Sequence, residues 1–231
     1  MTFTIVGRCP DTGRLGVATA TRSLAVGVRV PHVAPRSGAV AIMAIADERL
    51  GHRALQLLAQ GNKAPAVVEA LVAGDPNAEY RQLGVIDDDG FIAARTGKRN
   101  RDFAGHRIGT HHIALGNVLV GPHVLDAIEG GFTARPGDAL EDRLMAALEA
   151  GRDAGGQHGG QRSAAILVYG AKTFAEVNLR VDLHREPVGE LRRIYDEYRP
   201  AIPYYNLRQV DATVPPLDDW LEKRGQKIDA G

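Results

Sequence analysis

Directly behind the initiator methionine, Thr2 to Gly7 alternates Phe3 and Ile5 against Thr4 and Val6, and Leu15 to Thr21 follows after Pro10-Asp11-Thr12-Gly13. Two runs of strand-forming residues around a turn signal predict an antiparallel hairpin. This hairpin constrains the chain more than any other feature. It brings Arg22 and Ser23, at the end of the second strand, next to Thr2 at the start of the first. Aminopeptidases remove methionine before small residues, and threonine is small enough. The exposed Thr2 would then combine a hydroxyl nucleophile with an α-amine that titrates near about pH 8, so one residue supplies both attack and base. The same residue pair also begins many ordinary proteins.

The rest of the chain has a definite order. Val26 to Val30 and Gly38 to Ala46 read as strands, the second so continuously apolar that burial on both faces is expected. Gly51 to Ala59 and Ala64 to Ala73 read as helices, with Pro65 in the first turn of the second. Arg81 to Ile86 and Phe91 to Arg95 flank Asp87-Asp88-Asp89-Gly90, a hairpin signal, and His111 to Leu115 is a further strand. Pro122 to Ile128 reads as a helix ended by Gly130-Gly131, and Leu140 to Ala150 as an amphipathic helix followed by Gly151. Ser163 to Val168 and Val177 to Leu183 form a strand pair, and Val188 to Tyr198 a last helix. Strands, two helices, strands, two helices and strands again do not give the strict alternation of a parallel sheet. They predict layered α+β architecture, with antiparallel sheets between helix pairs. Residues 1–199 form the expected domain, and 200–231 an extended arm with a short helix near Trp220.

Composition excludes several functions. Lys plus Arg and Asp plus Glu both number 28, so the chain has no general attraction for nucleic acid or acidic membranes. The one cysteine, Cys9, builds neither a disulfide framework nor a Cys-rich metal site. With no signal peptide and no long apolar run, a cytoplasmic protein is expected. No cofactor or metal is expected either. His106, His111 and His112 are too poorly spaced for zinc, since neighbours on a strand face opposite ways, although a metal-dependent hydrolase stands as a third reading.

The candidate site gathers around Thr2. Asn117, after Gly116 at a strand end, has an amide that can donate to a developing oxyanion, or it simply fills a turn. Arg22 suits bidentate capture of a substrate carboxylate or a rim salt bridge. Ser23 sits beside it, and Arg81 with Gln82 either enters the same cleft or pins Asp75-Pro76-Asn77. His106 is a candidate hydrogen-bond partner for substrate. The Gly-rich stretch 155–160 is either a flexible loop or a mobile cleft wall from which Arg162 reaches inward. The expected partners are a small amide substrate and a second copy of the chain, a dimer being favoured, because Tyr204, Tyr205 and Trp220 need a surface to lie on, either that of their own domain or that of a partner subunit.

The opening Thr2-Phe3-Thr4-Ile5-Val6 with Leu15-Gly16-Val17-Ala18 looks like that of N-terminal nucleophile hydrolases, proteasome β-type subunits included. The chain to about Pro200 more closely resembles the DUF1028 family. Matching pieces run in order through Arg81-Gln82-Leu83-Gly84-Val85, Ala104-Gly105-His106, Gly116-Asn117, Leu148-Glu149-Ala150-Gly151 and Leu179-Arg180-Val181-Asp182. The resemblance implies a four-layer αββα sandwich of N-terminal nucleophile hydrolase type and a hydrolase-like ancestry. The likeness to a proteasome-type opening implies an acid near Ala20 and a lysine near Met43, and neither is present. Those departures keep open a non-catalytic binding or assembly module on the same scaffold.

Overall fold

The computed structural model describes residues 1–226. Ten strands run β1 (Thr2–Arg8), β2 (Leu15–Thr21), β3 (Pro31–Ala34), β4 (Gly38–Ala44), β5 (Arg81–Asp87), β6 (Ile92–Thr96), β7 (Gly105–Ile108), β8 (His112–Asn117), β9 (Ser163–Tyr169) and β10 (Ala175–Val181). The helices are α1 (Val26–Arg29), α2 (Glu48–Ala59), α3 (Ala64–Gly74), α4 (His123–Thr133), α5 (Leu140–Asp153), α6 (Pro187–Tyr198), α7 (Ile202–Arg208) and α8 (Leu217–Glu222).

The strands form two antiparallel sheets, six-stranded in the order β10-β9-β2-β1-β8-β7 and four-stranded in the order β3-β4-β5-β6. Alternation along β1 and β2 explains how they stack. Phe3, Ile5, Ala18 and Ala20 pack under α4, α5 and α6, while Val6, Leu15 and Val17 meet Ala39, Ala41 and Met43 of the other sheet. On the far face of the small sheet, Val40, Ile42, Leu83 and Val85 pack under α2 and α3. The result is the expected four-layer αββα sandwich, with β1 at the middle of its larger sheet.

Several elements differ from the sequence expectation. Val26 to Val30 is a single helical turn, not a strand. Ala25 takes a left-handed φ of 53°, Val26 N–H donates to Ser163 Oγ, and Val30 N–H closes the turn on Val26 O. Strand β4 stops at Ala44, where φ is 70°, short of Ala46. β7 was not anticipated, because its Gly-His-Arg-Ile sequence carries no alternation and sits half-buried at a sheet edge. Gly130-Gly131 and Gly151 do not end their helices. A Cβ on Gly131 would lie 2.7 Å from Ala146 O, and one on Gly151 2.7 Å from Ile128. These glycines let α4 and α5 approach closely, and packing outweighs their poor helix propensity.

The chain after Pro200 is helical through α7 and α8 rather than an extended arm. Tyr204, Val214, Trp220 and Leu221 pack together as a small satellite core, so the aromatic residues cover one another. The last part of the expected arm, 227–231, lies outside the described residues. Among the described residues, no helix is long and apolar enough to cross a membrane.

Candidate functional site

Register sets the site. Thr2 pairs with Thr21 on β2 and with Asn117 on β8. Its side chain lies on the same face as Val6, between the sheets, and the residue is only 5% exposed. It borders a cavity of about 110 Å³ shared with Thr21, Ser23, Arg29 and Ala44.

Thr21 is the partner that sequence reasoning missed. Its Oγ1 lies 3.0 Å from Thr2 Oγ1 and donates to the Met1 carbonyl. That direction makes the Thr2 hydroxyl the donor to Thr21. Arg22 N–H approaches the same Met1 carbonyl at 3.4 Å. One turn deeper, Thr4 and Thr19 repeat the pairing at 2.7 Å. The signal was present in the hairpin, because a register joining Thr2 to Thr21 puts two hydroxyls on one face. Ala20, where the resemblance would put an acid, faces the helix layer instead, and Met43 packs its thioether into the apolar space between the sheets.

Met1 lies over a second cavity of about 250 Å³, lined also by Tyr80, Arg99, Arg101 and Asn117. Ala44 borders both cavities. Burial, reinforced by the nearby Arg101 charge, lowers the affinity of the chain's amine for its proton below that of an ordinary terminus. Both Ala44 and Val118 bordering this space have left-handed backbone, with φ of 70° and 56°. Non-glycine residues adopt that region rarely, and such strain gathers at sites where geometry is over-determined.

Behind this edge runs a buried polar chain. Gln82 Nε2 donates to Thr96 Oγ1 (3.0 Å), Gly105 O (3.1 Å) and Gly116 O (2.8 Å), while its Oε1 accepts from Asn117 Nδ2 at 2.8 Å. His106 Nδ1 meets Thr96 Oγ1 at 3.0 Å, and burial, with Arg107 nearby, holds this imidazole below its ordinary pKa. Gln82, on the small sheet, thus joins it to β7 and β8 of the large one. The arrangement changes the role available to Asn117. One of its two amide N–H groups is committed to Gln82, which fixes the amide plane and leaves one N–H. Its carbonyl is also uncommitted and can accept from an amine.

The other candidates separate. Ser23 borders the Thr2 cavity. Arg22 points away and donates to Gly159 O at 2.6 Å, which ties the Gly-rich loop to β2. Arg81 is buried in ion pairs with Asp75 (2.9 Å) and Asp47 (3.6 Å), so it pins the loop after α3 and does not enter the cleft. Arg162 is exposed; its backbone N–H donates to Thr21 O at 2.7 Å, but its side chain borders neither cavity. His112 faces Phe132 and Glu129 under α4, on the opposite side of the sheet from Thr2. Among the described residues, no cluster of three His, Cys, Asp or Glu side chains is placed to hold a metal ion.

Comparison with known proteins agrees with this architecture. The model of a family of unknown function, DUF1028, matches residues 2–191. The crystal structure of a DUF1028 protein from Silicibacter pomeroyi is 33% identical, covers 95% of this chain and 92% of its own, and superposes with a TM-score of 0.80. More remote likenesses are a Gly-1 mutant of Anbu from Hyphomicrobium sp. strain MC1 (13% identity, 94% and 100% coverage, TM-score 0.45). Anbu from Yersinia bercovieri, the ancestral β-subunit, follows at 14% identity, 93% and 99% coverage and a TM-score of 0.41. Among curated proteins, none matches the sequence.

Proposed function

The chain belongs to the DUF1028 family, and from that premise we propose that it is an amide hydrolase whose nucleophile is Thr2 after loss of Met1. The observation that carries the reading is the arrangement around the Met1–Thr2 peptide. The Thr2 hydroxyl borders a small cavity, is hydrogen-bonded to Thr21, and adjoins the larger space that Met1 occupies. Removing Met1 joins the two spaces beside the hydroxyl and transfers the terminal amine to the residue that bears it. The new amine would share the burial that already favours a neutral amine at this end of the chain. It also adjoins Asn117, whose free carbonyl suits an amine donor.

In the proposed reaction Thr2 Oγ attacks the carbonyl carbon of a small amide. Its proton passes to the α-amine, directly or through water. Collapse of the tetrahedral adduct breaks the C–N bond, and the proton leaves with the departing amine. Water then hydrolyses the ester and restores Thr2. The donors that hold the Met1 carbonyl, Thr21 Oγ–H and Arg22 N–H, become free when Met1 leaves and are candidate oxyanion stabilisers beside the second N–H of Asn117.

A second reading, a binding module without catalysis, draws on Met43. An apolar side chain stands where a cation would assist the nucleophile, and among the described residues Arg29 is the one cation bordering the Thr2 cavity. Intact-mass measurement of natively expressed protein separates the two, because retained Met1 eliminates the hydrolase. Treatment of processed protein with a β-lactone should add one acyl group at Thr2, and Thr2→Ala should abolish that adduct. An adduct that survives the substitution refutes Thr2 as nucleophile.

A further inference from the structure

On the opposite side of the large sheet from Thr2, α4, α5 and α6 enclose a polar cavity of about 410 Å³. Its charges almost cancel in pairs. Arg192 grips Glu149 with two contacts of 2.8 Å, Arg199 meets Asp142 at 2.8 Å, and Arg135 stands 4.0 Å from Asp138. One cation is left over. Arg143, in the first turn of α5, lines the cavity and is only 8% exposed. Among the described residues it has no carboxylate within ion-pair distance.

Arg143 is nevertheless held firmly. Its Nε donates to Phe132 O at 3.1 Å, and its guanidinium carbon stands 4.1 Å from the centre of the Phe132 ring. These contacts fix the guanidinium plane while neither terminal nitrogen gains a protein acceptor among the described residues. Burial lowers its proton affinity, yet arginine remains charged throughout the neutral range. Its terminal nitrogens open onto the cavity, where only solvent competes for them. The open edge of a fixed guanidinium is a two-toothed donor, the geometry that suits a carboxylate or phosphate.

We propose that this cavity is a binding site for a small oxyanion, the carboxylate or phosphate group of a metabolite, held by the terminal nitrogens of Arg143. The paired carboxylates of Asp142 and Glu149 form its walls and stay neutralised by Arg199 and Arg192. The volume falls within the range of small-molecule pockets and exceeds what one phosphate fills, so the anion is the anchoring group of a larger molecule. The site shares no residue with the Thr2 cavity and does not depend on its chemistry.

Calorimetric titration of the full chain in low-chloride buffer, with inorganic phosphate and with succinate, tests this. At least one should bind saturably at a single site. Arg143→Gln should weaken that binding at least about tenfold, as should Ala146→Leu, which keeps Arg143 and fills the cavity instead. Thr2→Ala should leave it unchanged. Absence of saturable binding by both probes overturns the proposal. So does binding that survives both cavity variants, or chloride that competes as well as either oxyanion. If Arg143→Gln fails to fold, Ala146→Leu decides alone.

Discussion

Gln82→Leu should cost the protein about 3 kcal/mol, and the reason lies in what the amide leaves behind. Gln82 is fully buried and meets four groups: its two N–H donors are shared among three acceptors, and its carbonyl accepts from Asn117. A leucine of similar size fills the space but offers no acceptor to Asn117 Nδ2, in a residue that is itself only 2% exposed. An orphaned buried donor costs about 1–3 kcal/mol, and the lost donations to Thr96, Gly105 and Gly116 add about 1 kcal/mol in net terms, less what leucine regains through burial. For a chain of this size that corresponds to a melting-point loss of about 6–12 °C. Urea unfolding of the wild type, Gln82→Leu, Asn117→Leu and the double variant forms the assay. Removing both partners removes the orphan, so the double variant should be more stable than the two single costs imply, by about 1–2 kcal/mol. Additive costs, or a Gln82→Leu penalty below about 1 kcal/mol, would refute the idea that this network joins the sheets behind the site.

Three other outcomes follow from the packing. Gly51→Ala should destabilise the protein by about 1–3 kcal/mol in thermal unfolding, despite the better helix propensity of alanine, because the new Cβ would lie 2.2 Å from the buried His32 ring. Arg81→Met should cost about 3–5 kcal/mol in urea unfolding, because it strands the buried Asp75 carboxylate; Asp75→Asn with Arg81→Met should recover part of that. Burial outweighs the opposing contacts at His32 and His112 and holds both imidazoles below their ordinary pKa in the folded state. The unfolded chain therefore takes up protons first. The contribution of these residues to stability is complete above about pH 6.5 and is lost as pH falls through that value towards the lower folded pKa. Urea midpoints measured down this range should fall, and His112→Asn should flatten the slope.

The parts of the fold legible in the sequence were those governed by local pattern. The alternation in Thr2 to Gly7 and the turn at Asp87-Asp88-Asp89-Gly90 specify strands whatever surrounds them. The failures each have a tertiary cause. Val26 to Val30 has strand composition, but the left-handed Ala25 and the Ser163 hydroxyl turn it into helix. Gly131 and Gly151 look like stop signals, and they act as points of close helix contact. At the candidate site, the sequence singles out Thr2 by its place behind Met1, whereas its partner Thr21 required the register. The engagement of Asn117 by Gln82 was invisible, since the two residues are 35 positions apart and meet only when the sheets stack. Arg81 and Arg22 show how weak a guide residue type is for arginine: both lie close to the expected cleft in sequence terms, and each is bonded elsewhere.

The place of β1 in its sheet has a consequence for how the chain is made. β1 is a central strand, and of its sheet neighbours only β2 is nearby in sequence. Its other edge waits for β8 at residues 112–117, and the far edge of β2 waits for β9 at residues 163–169. Until then a nascent hairpin exposes two rows of unpaired backbone groups, the form most able to pair with another chain. Closing such distant pairings is slow, because the loop entropy is lost before the contacts repay it. Refolding yield should therefore depend steeply on protein concentration, and the strand that begins at Thr2 becomes secure only after most of the polypeptide exists.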